Sequence, residues 1–358
     1  MSTDNLLEVK NLTVAFESER GLSRAVDDIS FVIPRGKCVG IVGESGCGKS
    51  VTAMSLARLL PQPTGKIISG EILFNGEDVV KMSSRRLREL RGGHAGIIFQ
   101  EPMSALNPVH TIGDQIAETL MLHRGLTAEA AWVEAINLLN RVKIPSAALC
   151  ANQYPGSLSG GMRQRVVIAM ALACRPALII ADEPTTALDV TVQQQILDLL
   201  RELHEDLGAS SLLITHDLGV IAQHCDRVLV MYAGRIVESA SVEELFANPV
   251  HAYTKALLAA IPRRDYVRKT LLPSIPGHVA SIRHQVQGCR FCQRMGIPVN
   301  ELTERPPMIE VAPDHWVEGC PRCSARKQAE EQKKASDEKK PSEESKAPEE
   351  KKLTEEKK

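Results

Sequence analysis

The sequence has few aromatic residues, almost no net charge and no long apolar run. Phenylalanine, tryptophan and tyrosine make up 3% of the 358 residues, and the formal net charge is −1. A charge this small gives no electrostatic case for nucleic acid as a partner. The longest apolar run, 166–174, is nine residues, whereas a membrane-spanning helix needs about twenty. We therefore expect a chain that binds no nucleic acid and does not cross a bilayer.

The amino terminus, Met-Ser-Thr-Asp-Asn, lacks the apolar segment of a secretory signal peptide. Synthesis is therefore expected to end in the cytoplasm, where thiols stay reduced. For that reason the nine cysteines do not imply disulfides. A hydrophobic content of 43% at this length corresponds to one large or two ordinary domains.

A glycine-rich turn between a predicted strand (38–42) and a predicted helix is the most informative stretch of the sequence. It has the pattern G-x-x-x-x-G-K-[ST] of a phosphate-binding loop. Its residues are Gly43, Glu44, Ser45, Gly46, Cys47, Gly48, Lys49 and Ser50, with Val51 beginning the run of helix formers. The glycines let backbone N–H groups point at one anion, Lys49 can reach the β- and γ-phosphates, and the Ser50 hydroxyl can bind Mg²⁺. The chain is therefore predicted to bind a nucleoside triphosphate.

Two alternating patterns before this loop predict a small antiparallel layer beside the main sheet. The first has apolar residues at Leu12, Val14 and Phe16, and the second spans 29–33. Phe16 has two equally supported roles: it fills the core of that layer, or it stacks on the nucleotide base. Farther along, 111–144 is predicted to be helical, with one apolar stripe at 112, 116 and 120 and another at 133, 136 and 139.

Polar side chains follow three further predicted strands. Asp182 ends the strand 177–181, where a carboxylate beside a phosphate loop can hold Mg²⁺. The adjacent Glu183 can orient or deprotonate an attacking water. Gln100 follows the strand 95–99 and can reach the metal or its water, and His216 follows the strand 212–215 and can hydrogen-bond a γ-phosphate.

A second helix start with anion-binding character occurs at Ser159, Gly160 and Gly161. Serine is a good N-cap, and the glycines expose N–H groups. The phosphate loop and this helix start are two anion-binding sites in one chain. Together they suggest a composite ATPase, in which two sites act on the nucleotide.

In order and spacing, these motifs resemble the ATP-binding subunit of ABC transporters over about residues 6–262. The corresponding segments are Walker A (43–50), the Q-loop (Gln100), the signature (158–162), Walker B (178–182) followed by Glu183, the D-loop (186–189, with Asp189) and the switch histidine (His216). Met162 stands where the general family has glutamine. The forms of 158–165, 234–238 and 248–254 resemble the peptide and nickel importer subgroup.

The resemblance implies an α/β P-loop NTPase with a RecA-like core, an antiparallel β layer and a helical subdomain at about 101–175, within a domain of residues 1–262. It implies an ATP-hydrolysing importer motor with ATP and Mg²⁺, in which Ser159, Gly160 and Gly161 contact the ATP held by a partner. The implied partners are a second ABC ATPase subunit in a heterodimer, two integral membrane permease subunits and, indirectly, an extracytoplasmic solute-binding protein. The implied location is the cytoplasmic face of the membrane.

Several alternatives share this ATPase domain. The solute is expected to be a peptide, with nickel or another small solute as the alternative. A lipid or lipoprotein export motor would leave the cysteine-bearing extension unexplained. A soluble ABC ATPase of DNA repair would carry a long coiled coil, and one of translation would carry two such domains, and neither feature is present.

After residue 262 the sequence predicts a proline-punctuated extension (263–325) and a charged, disordered tail (326–358). The extension contains two C-x-x-C pairs, Cys289 with Cys292 and Cys320 with Cys323, which are predicted to bind one metal centre. Spacing alone favours Zn²⁺ in a Cys₄ site. The resemblance favours a 4Fe–4S cluster, which the subgroup's extension often holds, although Met295 stands at one of that motif's cysteine positions. We expect iron–sulfur narrowly ahead of zinc.

Overall fold

The computed structural model describes residues 5–19, 21–186, 188–261, 274–281 and 284–324. Its strands are β1 (Asn5–Ser18), β2 (Gly21–Pro34), β3 (Cys38–Val42), β4 (Gly65–Phe74), β5 (Glu77–Asp78), β6 (Ala95–Ile98), β7 (Leu178–Asp182), β8 (Ser210–Thr215), β9 (Arg227–Tyr232), β10 (Arg235–Ser241), β11 (Met308–Ala312) and β12 (His315–Glu318). Its α-helices are α1 (Lys49–Leu56), α2 (Ser84–Glu89), α3 (Pro102–Ala105), α4 (Ile112–Arg124), α5 (Ala128–Arg141), α6 (Ala147–Ala151), α7 (Gly160–Leu172), α8 (Val190–Leu207), α9 (Leu218–His224), α10 (Val242–Ala247), α11 (Ala252–Ala259) and α12 (Arg290–Arg294). The predicted tail over 326–358 lies outside the described residues.

The strands form two sheets of different construction. The smaller sheet is antiparallel, with the order β2-β1-β4-β5, and pairs Val9 with both Phe31 and Ile72. The predicted antiparallel layer is thereby confirmed. Its buried face packs on the main sheet through a shared apolar cluster that includes Ile29 and Ile41.

The larger sheet has the order β11-β12-β10-β9-β3-β8-β7-β6, in which β9, β3, β8, β7 and β6 run parallel. All five residues of β3 and of β7 are buried, as expected for parallel strands covered on both faces. Val42 pairs with Thr215, and Asp182 pairs with Ile214. The carboxyl ends of three strands therefore meet at one edge, where open α/β sheets bind ligands.

Helix α7 packs against β6 of the main sheet, and α4 and α5 pack on α7 and on each other. Ile112, Ile116 and Leu120 of α4 are fully buried, as their spacing predicts. The predicted stripe on α5 is wrong at Val133, which is 60% exposed, whereas Ala135 and Leu139 are buried. Each step of three residues turns by about 300°, so Val133 lies about 120° around the helix from Leu139 and falls outside the stripe that Ile136 and Leu139 present to the core.

The last described segment joins the main sheet. β12 pairs antiparallel with β10, with Val317 opposite Glu238, and β11 pairs with β12 at the sheet's outer edge. A third apolar cluster then combines Tyr232 and Tyr253 with Phe291 and the four carboxy-terminal cysteines. The extension therefore shares both a sheet and a core with the residues before it.

Candidate functional site

The glycine-rich loop links β3 to α1, and its backbone requires glycine. Gly46 and Gly48 have φ angles of 77° and 110°, which side-chain-bearing residues rarely adopt. A Cβ at Gly48 would also lie 2.6 Å from the Ala25 carbonyl oxygen. Gly48 caps α1 without a side-chain hydrogen bond, so the N–H groups at the helix start remain available to an anion.

Lys49 lies inside this loop, with only 4% of its side chain exposed. Its ammonium donates to the carbonyl oxygens of Gly43 (2.9 Å) and Glu44 (3.2 Å) and lies 3.7 Å from a Glu183 oxygen. Ser45 and Gly46 are exposed at the loop tip, and Cys47 is buried behind it. A buried cation among loop carbonyls is placed to exchange those contacts for phosphate oxygens.

Ser50 and Asp182 form the part of the site that fits a magnesium ion. The Ser50 hydroxyl donates to Asp182 Oδ1 at 3.0 Å. Burial raises the pKa of the Asp182 carboxyl, and the neighbouring Glu183 charge raises it further, although the Ser50 hydrogen bond opposes them. Hydroxyl and carboxylate oxygens are the ligands that Mg²⁺ prefers, and a bound cation would relieve the cost of this buried charge.

Glu183 collects side chains from several segments. His216 Nδ1 and Gln100 Nε2 each lie 3.4 Å from its Oε2, and the Thr186 hydroxyl donates to the same oxygen at 2.8 Å. Its own backbone N–H donates to the Ile214 carbonyl, and its φ of 45° is left-handed. Such strain at a non-glycine residue is typical of functional sites. The carboxylate is thus held beside Lys49, where it can orient a water and accept its proton.

Phe16 and Val51 border the same region. Phe16 is half-buried and packs against the cluster between the two sheets, as does Val51. Core packing therefore accounts for part of the Phe16 ring, and its predicted contact with a base stays a prediction.

The second helix start lies at α7. Ser159 Oγ accepts the Met162 N–H at 3.3 Å, while Ser159 and Gly160 are exposed. Asp189 caps α8 by accepting the Val192 N–H at 3.0 Å. Across the described residues, no hydrogen bond joins Ser159, Gly160 or Gly161 to the phosphate loop. This anion-binding end therefore faces outward.

The four carboxy-terminal cysteines converge on one buried point. The sulfur–sulfur distances are 3.7 Å for Cys289–Cys323, 3.6 Å for Cys292–Cys320 and 3.6 Å for Cys292–Cys323, and all four sulfurs lie within 4.8 Å of one another. A tetrahedral ion with metal–sulfur bonds of about 2.3 Å has sulfur–sulfur edges of about 3.8 Å. The observed spacing therefore fits one such ion. A cubane would spread the sulfurs farther apart, because each binds a different iron atom.

Three residues of the site were not predicted from the sequence: Thr186 as a partner of Glu183, and Tyr253 and Arg294 as partners of Glu44. The Tyr253 hydroxyl accepts the Glu44 N–H at 3.0 Å, and Arg294 pairs with the Glu44 carboxylate at 2.6 Å. Thr186 could have been considered from its place three residues after Glu183. The other two contacts span more than two hundred residues and leave no local pattern.

Comparison with known proteins gives one consistent picture. Residues 26–186 match the family model described as ABC transporter, and residues 237–296 match that of the oligopeptide/dipeptide transporter C-terminal region. A probable peptide ABC transporter ATP-binding protein of Sinorhizobium fredii, y4tR, is 49% identical over 313 residues, which is 87% of this chain and 93% of that protein. The oligopeptide transport ATP-binding protein OppD of Bacillus subtilis is 46% identical over 313 residues, 87% of each chain.

A solved structure agrees in fold. The ATP-binding cassette MJ0796, as a dimer in a post-hydrolysis state with ADP and phosphate, matches with a TM-score of 0.60 at 28% identity. The match covers 66% of this chain and 98% of that one.

Proposed function

The chain belongs to the ATP-binding proteins of ABC transporters and is the ATP-hydrolysing motor subunit of a peptide importer; from this premise we propose a role for each residue of the site. The observation that carries the assignment is the convergence of Lys49, the Ser50–Asp182 pair and Glu183 at one edge of the parallel sheet. It supplies phosphate binding, cation binding and water activation side by side.

In the proposed hydrolytic step, Glu183 orients a water toward the γ-phosphorus. The water oxygen forms the new bond to phosphorus, the bond to the β–γ bridging oxygen breaks, and the water proton passes to the Glu183 carboxylate. Thr186 holds that carboxylate in place through its 2.8 Å hydrogen bond. His216 has 61% of its side chain exposed and can turn toward the γ-phosphate to form a hydrogen bond with it. The products are ADP and phosphate.

ATP–Mg²⁺ is held by the loop residues 43–51, and Ser50, Asp182 and Gln100 hold the ion. When bound, Mg²⁺ neutralises charge on the β- and γ-oxygens. Lys49 would supply a second positive charge to the phosphates from within the loop. Phe16 is proposed to stack on the base with the part of its ring that the core leaves uncovered.

ABC ATPases of this family dimerise and work with membrane permeases, and we propose the composition of that assembly. Ser159, Gly160 and Gly161 face outward and would meet the ATP of a partner, with Asp189 nearby at the start of α8. The partner is a second, related ABC ATPase in a heterodimer. This pair sits on the cytoplasmic face of two integral membrane permease subunits, which receive peptide from an extracytoplasmic solute-binding protein. Within the described ranges, no helix is long and apolar enough to cross a bilayer.

We propose further that the four cysteines hold one zinc ion that staples the extension. The support is the 3.6–3.7 Å spacing of their sulfurs, which reverses our sequence-based preference for 4Fe–4S. Colourless protein with one zinc per chain would support the proposal. Brown protein with about four irons per chain after anaerobic purification would instead support a 4Fe–4S cluster.

Uptake of a labelled tripeptide tests the function in cells. A strain in which Glu183→Gln replaces the wild-type chain should lose this uptake and keep the assembled complex. Intact peptide uptake together with lost nickel uptake would favour the alternative solute.

A further inference from the structure

We propose that the carboxy-terminal extension positions the phosphate loop by gripping Glu44, so that an intact cysteine site is required for full ATP affinity. The proposal deepens the nucleotide-binding role assigned above and rests on it. The two positioning residues are Arg294, in the extension, and Tyr253, on α11 just before it, whose ring packs against Phe291 of the extension.

Arg294 is fixed before it reaches Glu44. Only 3% of its side chain is exposed, against 30% for Glu44. Its guanidinium donates to the carbonyl oxygens of Ile275, Pro276 and Gly277 at 3.0, 2.8 and 3.2 Å. The same group contacts both Glu44 oxygens, at 2.6 and 3.3 Å. A bidentate pair of this kind fixes direction as well as distance.

The charge of Arg294 also matters to the ligand. Glu44 places a negative charge within the loop that must accept a triphosphate. Arg294 neutralises that charge from the side of the extension, and it does so while buried, where screening by water is weak. Without it, Glu44 would both move and repel the phosphates.

Tyr253 fixes the backbone at the same residue. Its hydroxyl accepts the Glu44 N–H at 3.0 Å, and its side chain is fully buried. The ring packs against Tyr232 and Phe291, with centroids 4.5 and 5.6 Å away. The loop's first peptide plane therefore takes its orientation from a residue held by α12.

Both contacts to Glu44 depend on residues at the cysteine site. Phe291 and Arg294 lie on α12, a five-residue helix whose N-cap is Cys289 and which contains Cys292. A helix this short is not stable by itself, so its position depends on the cysteines and on packing.

Tyr253 is also connected to the cysteine site through His251. The Tyr253 N–H donates to His251 Nδ1 at 3.1 Å, which leaves the proton of the neutral ring on Nε2. That buried nitrogen has no hydrogen-bond partner within the described part of the chain. One ring nitrogen of His251 lies within 4.8 Å of Cys289 Sγ and a Glu318 oxygen. His251 therefore connects the backbone of Tyr253 to the immediate surroundings of Cys289.

The test measures ATP dissociation constants and metal content on the purified full chain. Arg294→Gln should bind ATP about tenfold more weakly and retain its metal. Arg294→Lys should recover part of the loss, because it keeps the charge but not the two-pronged guanidinium contact. Tyr253→Phe should weaken ATP binding about threefold. In the hydrolysis assay, Arg294→Gln should raise KM and leave kcat near the wild-type value, because Glu183 is untouched. Arg322→Gln is the matched control, since Arg322 lies between Cys320 and Cys323 and forms only an exposed ion pair with Glu301 among the described residues.

Cys323→Ser completes the design. It should lose metal and weaken ATP binding at least as much as Arg294→Gln, because it removes the support of both Arg294 and Tyr253, and the double variant should be no weaker than Cys323→Ser alone. Wild-type ATP affinity in Arg294→Gln and in Tyr253→Phe would overturn the proposal, as would unchanged affinity in metal-free Cys323→Ser. Failure of Lys49→Ala to weaken binding would instead count against the nucleotide site itself.

Discussion

Replacing Glu183 with glutamine separates ATP binding from hydrolysis. The amide has the shape of the carboxylate and can still accept the Thr186 hydroxyl, which now lies 2.8 Å from Oε2. It cannot take a proton from water. A positioned general base contributes about 10²–10⁴ in rate, so we expect kcat to fall by roughly that factor.

ATP affinity should change little in the same variant. The contact of Glu183 with the phosphate loop is the 3.7 Å ion pair with Lys49, which is too long for a strong hydrogen bond. Lys49 keeps its hydrogen bonds to the Gly43 and Glu44 carbonyl oxygens, and the glutamine keeps an amide oxygen in place of the carboxylate, so we expect the dissociation constant to change far less than kcat. Non-hydrolysed ATP should therefore accumulate on the protein and hold the dimer closed.

The assay pairs single-turnover hydrolysis with equilibrium ATP binding and size-exclusion chromatography. Glu202→Gln is the control, because Glu202 is an exposed carboxylate on α8 that pairs with Lys143. Turnover by Glu183→Gln above about a third of the wild-type rate would refute the assignment of the base.

Three further predictions follow from the buried charges. Lys49→Ala should weaken ATP binding at least tenfold by removing the buried ammonium, as titration calorimetry will show. Asp27→Asn should lower the free energy of unfolding by about 3 kcal/mol in urea, since it removes the carboxylate that pairs with the buried Arg290 and Arg235 and leaves Arg235 only its longer, 3.6 Å ion pair with Glu318. Burial alone would raise the pKa of Asp27, but the guanidinium groups of Arg290 and Arg235 outweigh burial and lower this pKa. The stability that Asp27 contributes should therefore be complete above the ordinary carboxyl pKa and should be lost as the pH falls below about 4. The hydrogen bond that the His315 ring donates to the Glu238 carboxylate raises the pKa of His315. The stability it adds should be complete below about pH 6.5 and decline as the pH rises above it, and His315→Gln should abolish this pH dependence of the urea midpoint.

The sequence was sufficient to predict the parts of the site that lie at strand ends. Lys49, Asp182 and His216 follow β3, β7 and β8, and parallel pairing brings such ends together in any doubly covered sheet. Glu183 needed only its place after Asp182. The placement of these residues at one sheet edge could be predicted because local pattern and global topology impose the same arrangement, and their roles stay predictions.

What the sequence could not supply was contact between distant segments. No sequence pattern near Glu44 predicts its contact with Arg294, which is 250 residues away. Likewise, no pattern in 308–318 predicts that a hairpin extends the main sheet. The proposed choice of zinc over a cluster also depended on spatial distance: C-x-x-C spacing is compatible with an ion or a cluster, and the proposal rests on the separation of the four sulfurs, which cannot be read from the sequence. Val133 was misplaced because a three-residue period was taken for a helical face.

Peptide-dependent ATP hydrolysis by the assembled transporter tests the central claim most directly. The chain would be purified with the permeases and second ATPase proposed above, reconstituted in vesicles, and assayed with the proposed solute-binding protein with and without peptide. We predict that peptide-loaded binding protein stimulates hydrolysis and that Lys49→Ala in this chain reduces the stimulated rate severely. Stimulation by nickel alone, or a rate indifferent to peptide, would contradict the account.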